Sequence, residues 1–310
     1  MNDIELKNQL QEKVAEIEKI IYAGLPEEKG YARTVFEAMN YSVKVGGKRL
    51  RPMLVLESYR MFSGNYDSIP ENVAAAMCAI EYIHTYSLVH DDLPAMDNDE
   101  YRRGHKTTWN VYGDAMGILA GDGLLNYAFE TILKTASKLS ADGEYIEAGK
   151  TVRAADMLAN KAGSFGMIGG QTADLEAEGR GDDVSLDDLL FIHEHKTACL
   201  IEAALMMGAV LGGAGEAEIK LMEECGHNIG IAFQIQDDIL DIIGTLEELG
   251  KEIGSDAEND KVTYVTINGM EKSVTDVLAL SGGAIDILKS VRGNHDFLEA
   301  LVLSLTTRRK

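Results

Sequence analysis

The chain has 310 residues, of which 45% are hydrophobic, and this is enough apolar material for a large buried core. Its 51 acidic side chains outnumber the 29 basic ones and give a formal net charge of -22 at pH 7. Nucleic acid is therefore excluded as the expected partner, because its phosphates require a basic surface, and an anionic membrane surface is disfavoured for the same reason.

Cysteine usage and apolar segments indicate the compartment. Three scattered cysteines lack the spacing of a metal site: Cys78, Cys199 and Cys225. They predict a reducing, cytoplasmic environment. Residues 1–5 show no basic-then-apolar export signal. The most apolar window, from Cys199 to Gly215, is interrupted by Glu202 and is short for a membrane span, so it predicts a buried core helix.

The chain begins with two predicted helices. In the first, apolar residues recur at helical spacing among charged ones: Leu10, Val14, Ile17 and Ile21. Gly24-Leu25-Pro26 ends this pattern, and a second helix is predicted from about Tyr31 towards Gly46. The first helix is suited either to covering a core or to packing on a partner.

A glycine pair and a cluster of cations follow at residues 46–52, GGKRLRP, just before a helix start predicted at Pro52. The glycines allow the backbone to approach an anion, and the free N–H groups of a helix start favour phosphate. The stretch is not a Walker loop, because Lys48 is followed by arginine and no glycine stands at the required earlier position. Taken alone, a basic turn of this kind is more often an ordinary surface turn.

A largely buried helix is predicted over residues 71–89, and it leads into an acidic motif at residues 91–97, DDLPAMD. Crowded carboxylates are costly unless a cation lies among them, and Mg²⁺ takes oxygen ligands from one or two carboxylates together with substrate phosphates. Arg102 and Arg103, which follow, carry forked donors that match phosphate oxygens. The motif thus indicates a metal and a phosphate, although an acidic run alone is as often a solvated surface.

The geometry of this motif requires a break in the helix. Pro94 disfavours a helical conformation at the residue before it. Asp91 and Asp97 are six residues apart and would not share one face of a continuous helix, so a turn at Pro94 must return Asp97 towards Asp91. His84 lies on roughly the face of Asp91, although a lone helical histidine is more often structural.

Three more helices are predicted in the middle of the chain: Met116 to Ser137, about Ala141 to Gly163, and one ending at Glu178 that is interrupted or crowded by Gly169-Gly170-Gln171. Ser185 begins a capping-box-like helix start that leads to residues 193–197, HEHKT. The two histidines of this run are at i and i+2 and point to different sides of a helix, so a zinc pair is not expected. Lys196 enters the apolar window and therefore requires an anionic partner.

A second acidic motif, DDILD at residues 237–241, lies inside an apolar sequence far downstream. Asp237 and Asp241 are at i and i+4 and share one face of a helix. Charged side chains are rarely buried unless they are paired or bound to metal. Two such motifs on facing helices would form a carboxylate-walled cleft around metal ions and a diphosphate, and the pair is far more specific than either motif alone.

The end of the chain adds a loop and two predicted helices. The polar loop at residues 250–256, together with Lys251 and Lys261, is suited either to a lid over the cleft or to a solvated surface loop. The chain shows no sustained strand alternation, 20–50-residue repeat or linker. It predicts an all-α fold, a bundle of roughly ten or more helices forming a single domain over residues 1–310.

Taken together, the motifs strongly resemble those of the trans-isoprenyl diphosphate synthases, or polyprenyl synthetases, especially the bacterial farnesyl and geranylgeranyl diphosphate synthases. The matching pieces occur in family order: GGKRLRP (46–52), HTYSLVHDDLPAMDNDEYRRG (84–104), GGQTAD (169–174), HEHKTACL (193–200), FQIQDDILD (233–241), GKEIGSD (250–256) and KVTYV (261–265). The double aspartate signature is highly specific. The insertion between the first aspartate pair and Asp97 resembles that of the bacterial and plant-plastid enzymes.

The resemblance implies the isoprenoid synthase fold, a helical bundle around a central active-site cavity, usually as a homodimer. It implies Mg²⁺-dependent condensation of isopentenyl diphosphate with dimethylallyl or geranyl diphosphate to give farnesyl diphosphate and pyrophosphate. Asp91, Asp97 and Asp237 would ligate Mg²⁺. Three further aspartates would lie in the first or second shell around the metal: Asp92, Asp238 and Asp241.

The resemblance also implies the substrate-binding groups. Isopentenyl diphosphate would be held by four side chains: Lys48, Arg51, His84 and Arg103. The allylic diphosphate would be held by four others: Arg102, Lys196, Lys251 and Lys261. Thr197 and Gln234 would flank the reacting carbons, and with Lys196 they form the catalytic group.

In this family the residues four and five positions before the first aspartate set the product length, and here these are Ser87 and Tyr86. A helix rises ~1.5 Å per residue, so Tyr86 lies about one and a half turns below the metals. Its ring would close the pocket after a short chain, which favours a farnesyl (C15) over a geranylgeranyl (C20) product. Trp109 stands where relatives commonly carry histidine, and a change in the loop or pocket rim is expected there.

Three other functions remain open at this stage. A class I terpene cyclase shares the first motif but normally carries a different second metal motif and needs no basic loop like residues 46–52. A metal phosphohydrolase would use His84, His90 and Asp91 but would leave the downstream aspartates without a role. A non-catalytic regulatory subunit would generally lose one aspartate motif, whereas both are intact here.

Overall fold

The computed structural model describes residues 3–243 and 262–306 of the chain. This part is all-α, as predicted, apart from one hairpin of two-residue strands. Lys251, Lys261 and the predicted lid at residues 250–256 lie outside the described residues. No helix in the described ranges has both the length and the apolar composition needed to cross a bilayer.

The structure assigns the following elements to the first half of the chain: α1 (Asp3–Ala23), α2 (Arg33–Lys44), α3 (Leu50–Ser63), α4 (Glu71–Asp91), β1 (Tyr101–Arg102), β2 (His105–Lys106), α5 (Thr108–Tyr112) and α6 (Asp114–Ala141). The second half contains these helices: α7 (Tyr145–Ala162), α8 (Met167–Ala177), α9 (Leu186–Ile192), α10 (Cys199–Leu211), α11 (Glu216–Ile243), α12 (Tyr264–Asn268), α13 (Met270–Ser290) and α14 (Asp296–Thr306). A 3₁₀ turn at Gly181–Asp183 precedes α9.

The predicted helices are confirmed, with differences at their ends. In α1 the predicted apolar stripe faces the core, where Ile17 and Ile21 are fully buried. Helix α3 begins at Leu50, so the start predicted at Pro52 is wrong by two residues. Proline is tolerated in the first turn of a helix because the N–H groups there have no intrahelical acceptor. The two helices predicted to close the chain are α13 and α14, and the short α12 precedes them.

Helix α10 forms the centre of the core. All of its residues are buried, as predicted for this apolar window, and it packs against α3, α4, α7 and α11. Burial of a large apolar side chain contributes ~1.5–3 kcal/mol, so α10 is a main source of stability. Glu202, the one charge in the window, is paired with Lys161 of α7 and lies 3.4 Å from His227 Nδ1 of α11.

A π-helical segment, His193–Ala198, joins α9 to α10 in one continuous helix. The predicted capping box starts α9: Ser185 Oγ accepts the Asp188 N–H at 3.1 Å, and Asp188 Oδ2 accepts the Ser185 N–H at 3.0 Å. The π-helical segment carries Lys196 and Thr197. Because π-helical turns are rare and concentrate at functional sites, this irregularity marks the region around the two side chains.

Candidate active site

The first aspartate motif folds back on itself where α4 ends. The N–H of Asp97 donates to the carbonyl of Asp91 at 2.8 Å, and the N–H of Asn98 donates to the carbonyl of Leu93 at 3.1 Å. This is the turn that the spacing of Asp91 and Asp97 required. Burial raises the pKa of Asp91; the Lys196 ammonium opposes this rise and the nearby Asp97 carboxylate adds to it.

Asp92 has different surroundings from Asp91. Its side chain is buried, and its Oδ1 accepts Nε of Arg102 at 2.5 Å. Burial raises the pKa of Asp92 to about 6, against the lowering effect of Arg102. Arg102 also donates to Oδ2 of Asp99 at 3.2 Å, so this arginine closes the loop between the motif and the hairpin. Trp109 supports the same loop, because its Nε1 donates to the Asp99 carbonyl at 2.9 Å.

A basic region lies one to two turns before the first motif. Burial holds the pKa of His84 well below its usual value, and the charges of Arg51, Arg103 and Arg102 act in the same direction. Burial also lowers the pKa of Arg51 to about 10. Arg103 donates to the carbonyl of Gly46, which brings it to the glycine loop. A neutral imidazole among arginines suits an anionic ligand, since the site holds positive charge that is short of partners of opposite sign.

The glycine loop supplies the remaining cations of this region. Lys48 is exposed at the loop surface. A Cβ on Gly47 would lie 2.5 Å from Arg103 Nη1, so a larger residue there would displace the end of the arginine side chain from the loop. The structure therefore gathers Arg51, His84 and Arg103 around one loop, with Lys48 on that loop.

Lys196 has the anionic partner that the sequence required. Its Nζ donates to Oδ2 of Asp174 at 2.5 Å, and Asp174 is buried on α8. A Cβ on Gly170 would lie 2.1 Å from the Lys196 backbone nitrogen, so glycine is needed for α8 to approach the π-helical segment. Asp174 was missed as a functional residue, although the GGQTAD motif contains it. Two signals could have identified it: Lys196 needs a buried carboxylate, and the motif contains the small residues that allow close packing.

The predicted catalytic residues Thr197 and Gln234 are in direct contact. Thr197 Oγ1 donates to Oε1 of Gln234 at 2.9 Å, which joins the π-helical segment to α11. Gln234 stands three residues before Asp237 on the same helix. Thr197 thus bonds to the helix of the second aspartate motif, and the charge of the neighbouring Lys196 lowers the pKa of Asp91 in the first.

The second aspartate motif lies within α11, two residues before the last described residue of that helix. Asp238 and Asp241 are buried, and Asp237 is half-buried. Asp238 Oδ2 accepts the N–H of Tyr264 at 2.7 Å and lies 3.9 Å from Nε2 of His193. Asp238 thus connects α11 to the start of α12.

The carboxylates fit a magnesium ion that completes its shell with substrate oxygens. In the described ranges no three His, Cys, Asp or Glu side chains lie close enough together to hold a metal ion by themselves. Asp91, Asp97 and Asp237 offer only oxygen donors, the type that Mg²⁺ prefers. Mg²⁺ commonly uses one or two carboxylates with phosphates and water rather than an all-protein cage, so the donor set is suited to it.

The residues predicted to set the product length lie inside α4. Tyr86 is 5% exposed, its hydroxyl has no hydrogen-bond partner in the described structure, and its ring lies edge-on to His90 at 5.8 Å. Burial raises the pKa of Tyr86 to about 12. Ser87 Oγ donates to the carbonyl of His84 at 2.9 Å, which satisfies its hydroxyl within the helix.

Comparison with known proteins gives consistent matches over most of the chain. The polyprenyl synthetase family model matches residues 32–281. A farnesyl diphosphate synthase of Geobacillus stearothermophilus is 47% identical over 228 residues, 74% of this chain and 73% of that relative. A geranylgeranyl diphosphate synthase of Cyanophora paradoxa is 43% identical over 265 residues, 86% of this chain and 84% of that relative. Among solved structures, a geranyltransferase from Helicobacter pylori complexed with magnesium and isoprenyl diphosphate superposes with a TM-score of 0.79 at 30% identity, covering 96% of this chain and 95% of that one.

Proposed function

The chain belongs to the polyprenyl synthetase family and is a prenyltransferase, and we propose that it is a Mg²⁺-dependent farnesyl diphosphate synthase. It would join isopentenyl diphosphate to dimethylallyl diphosphate and then to geranyl diphosphate, releasing pyrophosphate at each step. The observation that carries this proposal is the Thr197–Gln234 hydrogen bond of 2.9 Å. That bond joins the segment carrying Lys196, whose charge acts on Asp91, to the helix carrying Asp237, which supports a site where both motifs share a diphosphate and metal ions.

In this proposal Asp91, Asp97 and Asp237 hold Mg²⁺. The metal, when bound, neutralises the charge that develops on the leaving diphosphate. The raised pKa of Asp91 supports this role, because a buried carboxylate close to Asp97 would be stabilised by a bound cation. Asp92 and Asp238 are bonded to Arg102 and Tyr264, and we propose that they orient the motifs from outside the metal shell.

The diphosphates are assigned to two sets of cations. Isopentenyl diphosphate binds to four side chains around the glycine loop: Lys48, Arg51, His84 and Arg103. The allylic diphosphate binds to Arg102 and Lys196, and two further lysines outside the described residues complete its set: Lys251 and Lys261. The Asp174 carboxylate holds Lys196 Nζ at 2.5 Å, which orients the ammonium while leaving it two other donors.

The reaction needs no nucleophile from the protein. The C–O bond of the allylic diphosphate breaks, the bonding electrons leave with the diphosphate, and Arg102 and Lys196 stabilise the departing charge. The double bond of isopentenyl diphosphate then attacks the allylic cation, and the departing diphosphate takes the proton that is lost. The hydrogen bond from Thr197 Oγ1 to Gln234 Oε1 fixes the orientation of both side chains, and we propose that they border the allylic cation.

The farnesyl product rests on Tyr86. Its buried ring lies about one and a half turns below Asp91 and limits the depth available to the growing chain. A geranylgeranyl product is the second candidate, because the relative from Cyanophora paradoxa has that activity in its name and matches more of the chain than the farnesyl relative does.

A product assay tests the proposal. The purified enzyme is incubated with labelled isopentenyl diphosphate and dimethylallyl diphosphate, with Mg²⁺ or with a chelator, and the dephosphorylated products are separated by chromatography. We expect C15 as the main product with Mg²⁺ and no chain growth with the chelator. A C20 product would favour the second candidate. Cyclised hydrocarbon, or phosphate release without carbon–carbon bond formation, would contradict chain elongation altogether.

We further propose that the whole chain, residues 1–310, forms one domain that pairs as a homodimer. One apolar core cluster includes residues from Ile17 to Leu305, which supports a single domain. Ile118 and Leu133 of α6 and Val152 of α7 are large exposed apolar side chains on two packed helices, a surface suited to a second copy. Light scattering of the purified protein tests this assembly, and a mass of one chain would contradict it.

A cytoplasmic location is also proposed. The three cysteines are buried free thiols rather than disulfides, which suits a reducing compartment. Fractionation of cells that express a tagged chain tests the location, and recovery from an oxidising compartment would contradict it.

A further inference from the structure

The three cations of the glycine loop are alike in sequence but not in their surroundings. Arg49 is 3% exposed, whereas Lys48 is exposed and Arg51 is half-buried. The backbone of Arg49 is left-handed, with φ of +48°, an uncommon conformation for a residue other than glycine. Neighbouring groups must hold it there.

The guanidinium of Arg49 is bonded on all sides. It donates to four acceptors: Glu81 Oε1 at 2.6 Å, the Val43 carbonyl at 2.7 Å, Glu18 Oε1 at 3.2 Å and Tyr22 Oη at 3.2 Å. These acceptors belong to α1, α2 and α4. Arg49 therefore holds the glycine loop to three helices at once, and these bonds use four of its five N–H donors.

Two of the four acceptors lie outside the region that the family model matches. Glu18 and Tyr22 are on α1, and Tyr22 Oη itself donates to Glu18 Oε1 at 2.9 Å. The match begins only at residue 32. Helix α1 thus reaches a loop that we assign to substrate binding, through a preformed pair of polar groups.

Glu81 connects Arg49 to the basic region formed by Arg51, His84 and Arg103. It is buried one turn before His84 on α4, and its charge also acts on Arg51 and Arg103. Without Arg49, a buried carboxylate would compete with the substrate for those two arginines. With Arg49 in place the carboxylate is neutralised at 2.6 Å.

We infer that Arg49, held by Glu81 and by the Glu18–Tyr22 pair of α1, is a positioning residue that presents Lys48 and Arg51 to isopentenyl diphosphate. This inference rests on the proposed function, because it needs the glycine loop to be the isopentenyl site. Arg49 acts through its neighbours on either side of the chain and does not touch the substrate. In the described structure Arg102 and Lys196, the two cations assigned to the allylic diphosphate, donate to other side chains: Asp92, Asp99 and Asp174.

The test alters α1, which lies outside the substrate site. The double variant Glu18→Gln with Tyr22→Phe keeps the shape of both side chains but removes a charge and a hydroxyl from the Arg49 anchor. Lys13→Ala is the matched control, because it breaks another ion pair of α1, to Glu57 at 2.7 Å, without touching the loop. Initial rates are measured against each substrate in turn, and the melting temperature of each variant is recorded.

We expect the double variant to raise the KM for isopentenyl diphosphate by about tenfold, the usual effect of losing an outer-shell partner. The KM for geranyl diphosphate and kcat should change less than about twofold in both the double variant and Lys13→Ala. An unchanged KM for isopentenyl diphosphate would overturn the inference. So would an equal rise for both substrates, or the same rise in Lys13→Ala, since a general loss of stability explains either result.

A second pair of variants examines Arg49 directly. Arg49→Met leaves Glu81 buried and unpaired, so Arg49→Met with Glu81→Gln is the balanced form. We expect the balanced variant to fold and to show a larger rise in the KM for isopentenyl diphosphate than the α1 double variant. A balanced variant with normal KM would overturn the inference. Failure of the wild-type chain to condense the two substrates would instead refute the proposed function.

Discussion

The two aspartate motifs share a leading aspartate pair and a closing aspartate but occupy different structural settings. Residues 91–97 span the end of α4 and a turn, so the backbone must fold back to bring Asp97 to Asp91. Residues 237–241 remain within α11, where the helix itself aligns Asp237 with Asp241. A turn thus brings together two aspartates six residues apart in the first motif, and a continuous helix aligns two aspartates four residues apart in the second.

In both motifs the first two carboxylates differ in burial and in what they contact. Asp91 and Asp237 are partly exposed, whereas Asp92 and Asp238 are buried and hold a later segment of the chain. The held groups differ: Asp92 binds the charged Arg102, and Asp238 binds a neutral backbone N–H. We therefore expect the second aspartate of each pair to stabilise the proposed metal site, with an importance that depends on the group it holds.

The largest effects are expected at the first aspartates. Asp91→Asn and Asp237→Asn each weaken a site that supplies several kcal/mol of charge stabilisation, so kcat should fall by about 10³ in both. Steady-state rates at several Mg²⁺ concentrations measure this loss. Asp122→Asn, at an exposed carboxylate of α6, is the control and should be near normal. A normal rate for either site variant, with helical content retained, would remove that motif from the metal site.

The second aspartates should separate the two motifs. Asp92→Asn removes the buried charged partner of Arg102 and leaves only the exposed Asp99, so we expect kcat/KM for the allylic substrate to fall about 10- to 100-fold. Asp238→Asn keeps an oxygen that can accept the Tyr264 N–H, so the loss should stay within about fivefold. The two variants are compared in the same assay. Equal losses would show that the difference in partners has no consequence for activity.

The positions five residues before the two motifs should differ in their effect on product length. Five residues before Asp91 stands Tyr86, whereas five residues before Asp237 stands the small Ala232. Tyr86→Ala should shift the product from C15 towards C20 and cost about 3 kcal/mol of stability, because a large buried ring is removed. Tyr86→Phe removes only a hydroxyl without a partner and should keep the C15 product. An unchanged product in Tyr86→Ala would exclude the ring as the pocket floor.

The smallest effect concerns His84, on the helix of the first motif. Burial and the surrounding arginines hold its pKa well below the usual value, so the unfolded chain takes up the proton first as the pH falls. The stability that comes from neutral His84 is thus fully present above about pH 6.5 and is lost below it. Thermal melts from pH 5 to pH 7.5 should show a smaller fall in melting temperature towards low pH in His84→Gln than in the wild type. Parallel curves would contradict this.

Much of the fold followed from local patterns in the sequence. The periodicity of Ile17 and Ile21 and the apolar window after Cys199 were enough to predict α1 and the buried α10, because helical burial repeats along the chain. The turn at Pro94 also followed, since the spacing of Asp91 and Asp97 allowed no other arrangement.

The long-range partners could not be predicted in this way. Arg49 looks like a third phosphate ligand in sequence, and only the positions of α1, α2 and α4 show that it faces inward. Asp174 likewise gains its role from α8 lying against Lys196. The substrate-binding roles given to Lys251 and Lys261 remain predictions, because both lie outside the described residues.

The π-helical segment at residues 193–198 limits how this protein can be re-engineered. A π-helical turn contains one residue more than the α-helical turn it replaces. Winding the same residues as an ordinary α-helix, without deleting one of them, would rotate the helix on one side of the segment by about 100° relative to the other. A graft or chimera that keeps every side chain but regularises this turn would therefore swing Thr197 away from Gln234. In this stretch the number of residues matters as much as their identity.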